Sequence, residues 1–525
     1  MLKVSPGGRW GLLRTAMTDD VTVAMSAVRK WIGNPVALRL LRYVTAHDRC
    51  GNRLSNAIDH YLGRGKDLCW KCRIAGGIVG WTLGKGGGIF GIGEKDMKET
   101  LANPVFRRGL VNVIEGIARC GVTMPQVVNA PFLVVWDFTH RCNLACRHCY
   151  QDAKASLPDE LSTQEALRLI DEMADAGVVA IAFSGGEPLM RRDLFEVAAH
   201  AHGRGMYVSL ATNGTLITPE VAGRLRATGV DYVEMSIDGK DAGGHDAFRG
   251  IPGAFDRTVA GIRNCVSEGL FTCIACTVTR DNLADVPEIY DLGARLGVTR
   301  MMYFNFIPTG RGSGMVEGDI SPGEREELLK YIFGKNGPGG KGPEVLSTAP
   351  QFARVAVEGV DGREEVCLGH FYHNSGVSGE TKALAAFIGG CGAGRLYCCI
   401  EPEGTVQPCV FLPIPVGNVR ERPFLDIWHD SAVLSKLRDR STLKGSCGSC
   451  GNRYICGGCR ARAWAYFHDL HGPDPGCIRN QRYWDALCSE AERTEEARRA
   501  ASPPVVPPGD QGGKVPAAAA TGHGR

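Results

Sequence analysis

Apolar residues near the start of the chain recur at helical spacing: Ala37, Leu40, Leu41 and Val44, then Phe106, Leu110, Val113, Ile114 and Ile117. They predict a small, mainly helical region over residues 1–130. Between them lies GGIVGWTLGKGGGIFGIG (76–93), glycine-rich enough to read as a flexible loop. From Leu133 to about Arg311 the pattern alternates strand and helix six times, through FLVVWDF, VVAIAFSG, YVSLATNG, YVEMSIDG, FTCIACTVT and RMMYFNFIPTG. Each gap leaves room for one helix, and Ser162 with Glu165 forms a capping box before the first. Such alternation predicts parallel strands with right-handed crossovers and a ligand site at their C-terminal ends. Residues 313–388 read as a Gly/Pro-rich connector containing GKNGPGGKGPE, 389–490 as a cysteine-dense domain, and 491–525 as a disordered tail.

Composition narrows the picture. A length of 525 residues allows two or three domains, and a net charge of +3 with 22% charged residues gives no reason to expect nucleic acid. The 21 cysteines sit in short groups, and the first thirty residues lack the apolar core of a signal peptide. This points to metal-binding thiols in the cytoplasm rather than to disulfides. No run is long and apolar enough for a membrane span; the nearest, Gly76–Gly93, is half glycine and carries Lys85.

The chemistry begins in THRCNLACRHCYQ, where Cys142, Cys146 and Cys149 are spaced Cx3Cx2C directly after the first predicted strand. Three soft thiolates on one loop can hold three irons of a [4Fe–4S] cube, leaving the fourth iron open. The alternative is a zinc knuckle, but that pairs CxxC with a second CxxC or a His pair nearby, and none lies within reach. The second strand ends in Ser184-Gly-Gly-Glu-Pro188, where glycines admit close backbone approach and Glu187 offers an acceptor to an ammonium group. The third ends in Thr212-Asn213-Gly214 and the fourth in Ser236-Ile-Asp238-Gly239, followed by HDAFRG (245–250).

These motifs resemble the signature of the radical S-adenosylmethionine (radical SAM) enzymes. The resemblance implies an α/β chain with a partial (β/α)6 TIM-like barrel over 131–312, beside the N-terminal helical region and a small cysteine-rich iron–sulfur domain. It implies that the open iron chelates the amino and carboxylate groups of SAM, and that Gly185, Gly186 and Glu187 bind its amino group. Asn213 would lie beside the ligand, and Ser236 and Asp238 would bond the ribose hydroxyls and the SAM carboxylate. His148 stands where the family usually has an aromatic residue, His245 is expected to make a structural contact, and IPTGRG (307–312) would close over the adenine. The reduced cluster would cleave SAM to methionine and a 5′-deoxyadenosyl radical, which takes hydrogen from a substrate C–H bond, with no obligatory side-chain acid or base.

The later cysteines, Cys391, Cys409, Cys447, Cys450, Cys456, Cys459 and Cys477, resemble the C-terminal SPASM domain with two auxiliary [4Fe–4S] clusters. By that resemblance Cys447, Cys450 and Cys456 share one cluster with Cys477, while Cys459 joins Cys391 and Cys409. Cys398 and Cys399 would face opposite ways on a strand, so at most one ligates; Cys399 is the favoured fourth ligand. Structural zinc in a ribbon-like domain is the alternative. The short gap in CGGC looks closer to the branch that modifies haem-type tetrapyrroles and to some peptide-cofactor maturases. The expected activity is a maturase acting on a peptide or protein, with tetrapyrrole or lipid-like substrates next. A non-catalytic iron–sulfur electron-transfer or binding module is the rival, disfavoured by the complete SAM set. Partners would be SAM and an electron donor such as ferredoxin or flavodoxin. Cys69 and Cys72 could form half of a further metal site, with Cys50 or Cys120.

Overall fold

The computed structural model describes residues 34–64, 68–89, 94–336, 342–359, 365–369, 372–375 and 381–490. The tail expected at 491–525 lies outside them. The chain divides into two compact units, Met1–Gln481 and Arg482–Arg525, and the first carries every motif residue.

Helices Pro35–Thr45, Arg53–Tyr61, Trp70–Ile89, Glu94–Ala102 and Pro104–Cys120 build the N-terminal region, with a short hairpin of β1 (His47–Asp48) and β2 (Gly51–Asn52). Asn34, Asn52 and Asn103 cap three of the helices by accepting backbone N–H bonds. The glycine-rich stretch corrects the loop expectation as far as residue 89, because residues 70–89 are helical, while 90–93 lie outside the described residues. Cys72, Ala75, Gly76 and Val79 face inward at helical spacing against Arg53–Tyr61, so packing of one face outweighs the glycines' poor propensity.

The central sheet has ten strands in the order β14-β13-β12-β3-β4-β5-β6-β7-β8-β9. Its parallel run is β3 (Leu133–Asp137), β4 (Ala180–Ser184), β5 (Tyr207–Thr212), β6 (Tyr232–Ser236), β7 (Phe271–Val278), β8 (Arg300–Asn305) and β9 (Glu344–Ser347). Each of the six expected strands is there, and the Ser162–Glu165 capping box starts helix Thr163–Asp175. Val134, Trp136, Ile181, Phe183, Val208, Val233 and Ile274 are fully buried and alternate along their strands, so they share one face of the sheet, packed into the main core.

The connector expectation also needs correction. Residues 313–388 hold helix Pro322–Lys335, strand β9, helix Gln351–Glu358, a hairpin of β10 (Glu365–Gly369) and β11 (Tyr372–Ser375), and helix Thr381–Ile388. Leu329, Ile332, Phe352 and Ala356 are buried in the main core. Nor does the cysteine-rich segment begin a detached domain. Its β12 (Tyr397–Ile400) pairs in parallel with β3, and β13 (Thr405–Gln407) and β14 (Gly417–Asn418) extend the same sheet antiparallel.

A buried ion network joins these parts. Asp319 accepts bonds from Arg325 and Arg462 at 2.7 Å each and from the Tyr466 hydroxyl at 2.9 Å. Arg462 also donates to Asn305 at the end of β8. All of these groups but Tyr466 are almost wholly buried.

Candidate iron–sulfur and SAM site

A cavity of about 300 Å³ opens at the C-terminal ends of the strands. Its wall includes Cys142, Cys146 and Cys149 of the loop after β3, and also Cys391, Cys409 and Cys459. The loop is fixed by its backbone. Cys142 N–H donates to the Lys154 carbonyl at 3.2 Å, and Arg311 N–H donates to the Cys149 carbonyl at 2.8 Å. The thiols accept from Leu144 N–H at 3.5 Å, Arg249 Nη1 at 3.6 Å and Ala153 N–H at 3.5 Å, in the order Cys142, Cys146, Cys149. Burial pushes Cys142 up to about 11 and raises Cys146, where the Arg249 guanidinium opposes it.

Gly185 and Gly186 line the cavity, and their lack of side chains is required by the Cys loop. A Cβ on Gly185, whose φ is +113°, would come within 2.5 Å of the Thr139 carbonyl, and one on Gly186 would overlap the Arg141 carbonyl. Gly186 N–H donates to the Thr139 carbonyl at 2.7 Å, so the two glycines let the turn after β4 lie directly against the Cys loop.

Glu187 departs from the expectation of an acceptor on the cavity wall. It is fully buried behind the wall, and its carboxylate accepts from Thr212 Oγ1 at 2.7 Å, Asn213 N–H at 2.8 Å and Leu189 N–H at 3.1 Å. Burial pushes it up to about 6 against those bonds. Its observed work is to tie the turn after β4 to the turn after β5. Asn213 does reach the cavity, held by bonds to Asn143 and Thr215.

Ser236 lines the cavity; Asp238 is buried one step away. Asp238 Oδ2 accepts from Arg249 Nε at 2.6 Å, and Oδ1 accepts from Thr277 N–H at 2.7 Å. Burial alone would raise its pKa, but the Arg249 guanidinium holds it below the usual carboxylate range. So Asp238 acts on the cavity through Arg249, which lines it and reaches Cys146 Sγ. Arg249 lay unremarked inside HDAFRG, and the buried carboxylate needing a partner was the available signal. His245 Nδ1 accepts from Asp238 N–H at 3.2 Å, a structural contact.

His148 stacks on Phe248 with ring centroids 4.3 Å apart, and burial with Arg249 nearby lowers it to about 3. It is a neutral ring on the cavity wall whose buried Nδ1 has no partner among the described residues. That orphan atom, the glycine-built cradle and the soft donor set fit an iron cluster with a polar ligand beside it. The IPTGRG stretch packs on the Cys loop: a Cβ on Gly310 would overlap the Tyr150 carbonyl, and Ile307 lines the cavity. Sequence reasoning also missed Glu234, a carboxylate on the cavity wall that burial pushes up to about 7. The polar residue within the apolar run YVEMS was the signal.

Cys447, Cys450, Cys456 and Cys477 surround a second, smaller cavity. Asp474 spans the two thiol groups: its carboxylate accepts from Cys459 N–H at 2.7 Å, while its own N–H donates to Cys447 Sγ at 3.5 Å. Cys399 is the exception among the expected ligands. It faces away from Cys398 on β12 and donates to Asp137 Oδ2 at 3.2 Å, beside Glu401. It joins a buried acid cluster with Asp137, pushed up to about 7 by burial, and Glu401, pushed up to about 9. On the wall beside Cys409 stands Tyr397 instead, its hydroxyl donating to Cys409 Sγ at 2.6 Å.

Comparison with known proteins gives the family and the fold. Residues 136–293 match the radical SAM superfamily, and 391–451 match SPASM, an iron–sulfur cluster-binding domain. The AdoMet-dependent heme synthase of Methanosarcina barkeri is 39% identical over 68% of this chain and 98% of its own length. The mycofactocin maturase MftC of Mycobacterium tuberculosis is 34% identical over 67% of this chain and 84% of its own. Among solved structures, SuiB of Streptococcus suis bound to its precursor peptide SuiA superposes with a TM-score of 0.57 at 16% identity, covering 82% of this chain and 95% of that one, a likeness of fold.

Proposed function

The chain belongs to the radical SAM superfamily with a SPASM domain, and from that premise we propose that Cys142, Cys146 and Cys149 hold the SAM-binding cluster in the barrel cavity. Its cofactors are [4Fe–4S] clusters and SAM, and it is an enzyme. One observation carries the reading: a single cavity wall contains both the Cys-loop thiols and Cys391, Cys409 and Cys459. Reduced cluster and SAM together supply a 5′-deoxyadenosyl radical that takes hydrogen from a substrate C–H bond.

The chain's own residues prepare that site. Arg249 donates to the Cys146 sulfur, a bond that would draw charge from the thiolate and raise the potential of a cluster held there. Asp238 positions Arg249. Glu187 holds the Asn213 turn, so that the Gly185–Gly186 backbone, Asn213 and Ser236 meet SAM. His148 supplies a flat neutral ring with one open nitrogen. The apolar wall, with Leu210, Ala182 and Phe304, keeps water from the radical. Cys391, Cys409 and Cys459 would hold one auxiliary cluster, with its fourth position open or closed by a non-thiol group. Cys447, Cys450, Cys456 and Cys477 would hold the other. A ferredoxin- or flavodoxin-type donor in the reducing cytoplasm suits these free thiols.

For the substrate we favour a haem-type tetrapyrrole. The supporting relative aligns over nearly its whole length, and aromatic walls at Phe304, Phe306 and Phe411 suit a flat apolar ring. A ribosomal peptide is the second reading, supported by the likeness to mycofactocin maturase. Anaerobically reconstituted protein with dithionite and SAM should release 5′-deoxyadenosine, and alanine at Cys142, Cys146 or Cys149 should each abolish it. Persistence in all three variants sinks the cluster assignment. An iron porphyrin with carboxylate side chains should accelerate the release. Acceleration by a precursor peptide alone would transfer the substrate to the second reading.

A further inference from the structure

The N-terminal region, ahead of the residues that match the radical SAM superfamily, brings together a donor set that the SAM chemistry does not use. Cys50 sits in the turn of the β1–β2 hairpin, and Asp48 ends β1. Cys69 immediately precedes helix Trp70–Ile89, and Cys72 lies in its first turn. Their ligand atoms, three thiols and one carboxylate, all lie within 4.8 Å of one another. Cys69 Sγ is 3.7 Å from Asp48 Oδ2, and Cys72 Sγ is 4.0 Å from either Asp48 oxygen. All three cysteines are free.

We propose that Asp48, Cys50, Cys69 and Cys72 bind one structural zinc ion. Size is the first argument. Four donors about 2.3 Å from a central zinc sit roughly 3.8 Å apart, close to the spacing here. A four-iron cube holds its thiolates wider, and the Cys142, Cys146 and Cys149 thiols form no such close set among the described residues. Donor softness is the second, since three thiolates select zinc over magnesium or calcium. The surroundings supply the third. Arg53 Nε donates to Asp48 Oδ2 at 2.9 Å, and Asn56 Nδ2 donates to Cys72 Sγ at 3.6 Å and to the Cys50 carbonyl at 2.8 Å. These contacts orient the donors and offset their negative charge.

The site has a purpose that the fold makes plain. The core of this region is small, made of Val44, Leu54, Ala57, Ile58, Ala75, Val79 and Leu101. A metal joining the hairpin to a glycine-rich helix gives a poor helix former a fixed first turn.

The test uses the full chain purified under anaerobic conditions, with zinc and iron measured together. About one zinc per chain is expected, and zinc K-edge absorption should report a majority-sulfur shell near 2.3 Å. Cys69→Ser and Cys72→Ser should lose the zinc while iron content stays constant. Cys50→Ser, altered in a half-exposed turn, serves if the helix variants fail to fold. Absence of zinc from the wild type overturns the proposal, as does zinc retained in Cys69→Ser. So does a disulfide between any two of the three cysteines, seen by mass after alkylation without reductant. Zinc that disappears from Cys447→Ala but stays in Cys72→Ser would place the ion in the C-terminal thiols and also refute it.

Discussion

Replacing Arg249 by alanine tests how the barrel holds its Cys loop. Arg249 and Asp238 form an ion pair whose side chains are 10% and 0% exposed, and the same guanidinium donates to Cys146 Sγ. Removing one partner of a buried pair strands the other charge, at a cost of about 3–5 kcal/mol. At roughly 2 °C per kcal/mol for a unit this large, the melting temperature should fall by about 6–10 °C. The pH dependence has a definite sign. In the wild type the Asp238 carboxyl is held below its ordinary value, so its contribution is complete above the unfolded carboxylate pKa of about 3.9 and is lost only as pH falls through the depressed folded value. In Arg249→Ala burial is opposed only by the Thr277 N–H bond and the weaker effects of His148 and His245, so the carboxyl moves upward, and stability declines as pH rises through the raised value. The deficit should therefore be larger at pH 7.5 than at pH 5.5. Adding Asp238→Asn should recover part of it, because the stranded charge is gone. The assay is thermal unfolding of iron-matched anaerobic samples at one scan rate, since unfolding with clusters is irreversible. A deficit under about 2 °C, or one flat in pH, would refute the reasoning.

Glu187→Gln should cost about 1–3 kcal/mol, because one of three donors loses its acceptor. Wild-type Glu187 is raised to about 6, so the stability from its neutral form is lost as pH rises through that value, and the deficit of the glutamine variant should shrink from pH 5 to 7.5. A tenfold weaker SAM affinity with unchanged melting would instead make Glu187 a direct ligand. Asp319→Ala should cost about 3–5 kcal/mol by leaving two buried guanidinium groups, Arg325 and Arg462, to share Asp474 as their nearby carboxylate, read as early melting with loss of iron; an unchanged melt would mean that the network is dispensable. Cys399→Ala should leave iron content unchanged, whereas Cys459→Ala should lower it; equal loss in both would return Cys399 to the ligand set.

What the sequence determined by itself was local and periodic. Alternating apolar runs specified the six strands from Leu133 to Asn305, because strand and helix periods follow from backbone geometry alone. The Cx3Cx2C spacing likewise singled out the loop proposed to hold the cluster, since ligand chemistry depends on residues close in the chain. Tertiary structure decided where distant groups meet. Glu187 and Asp238 were legible as charged residues at strand ends, but their burial, and hence their bonds to Thr212 and Arg249, exists only once the strands are neighbours. Residues 70–89 became a helix against their own glycines because a partner face was waiting at Arg53–Tyr61. The strand β12 turned Cys399 toward Asp137 because pairing with β3 set its register. Each reversal has one cause: burial and partners are properties of the packed chain, and no window of sequence contains them.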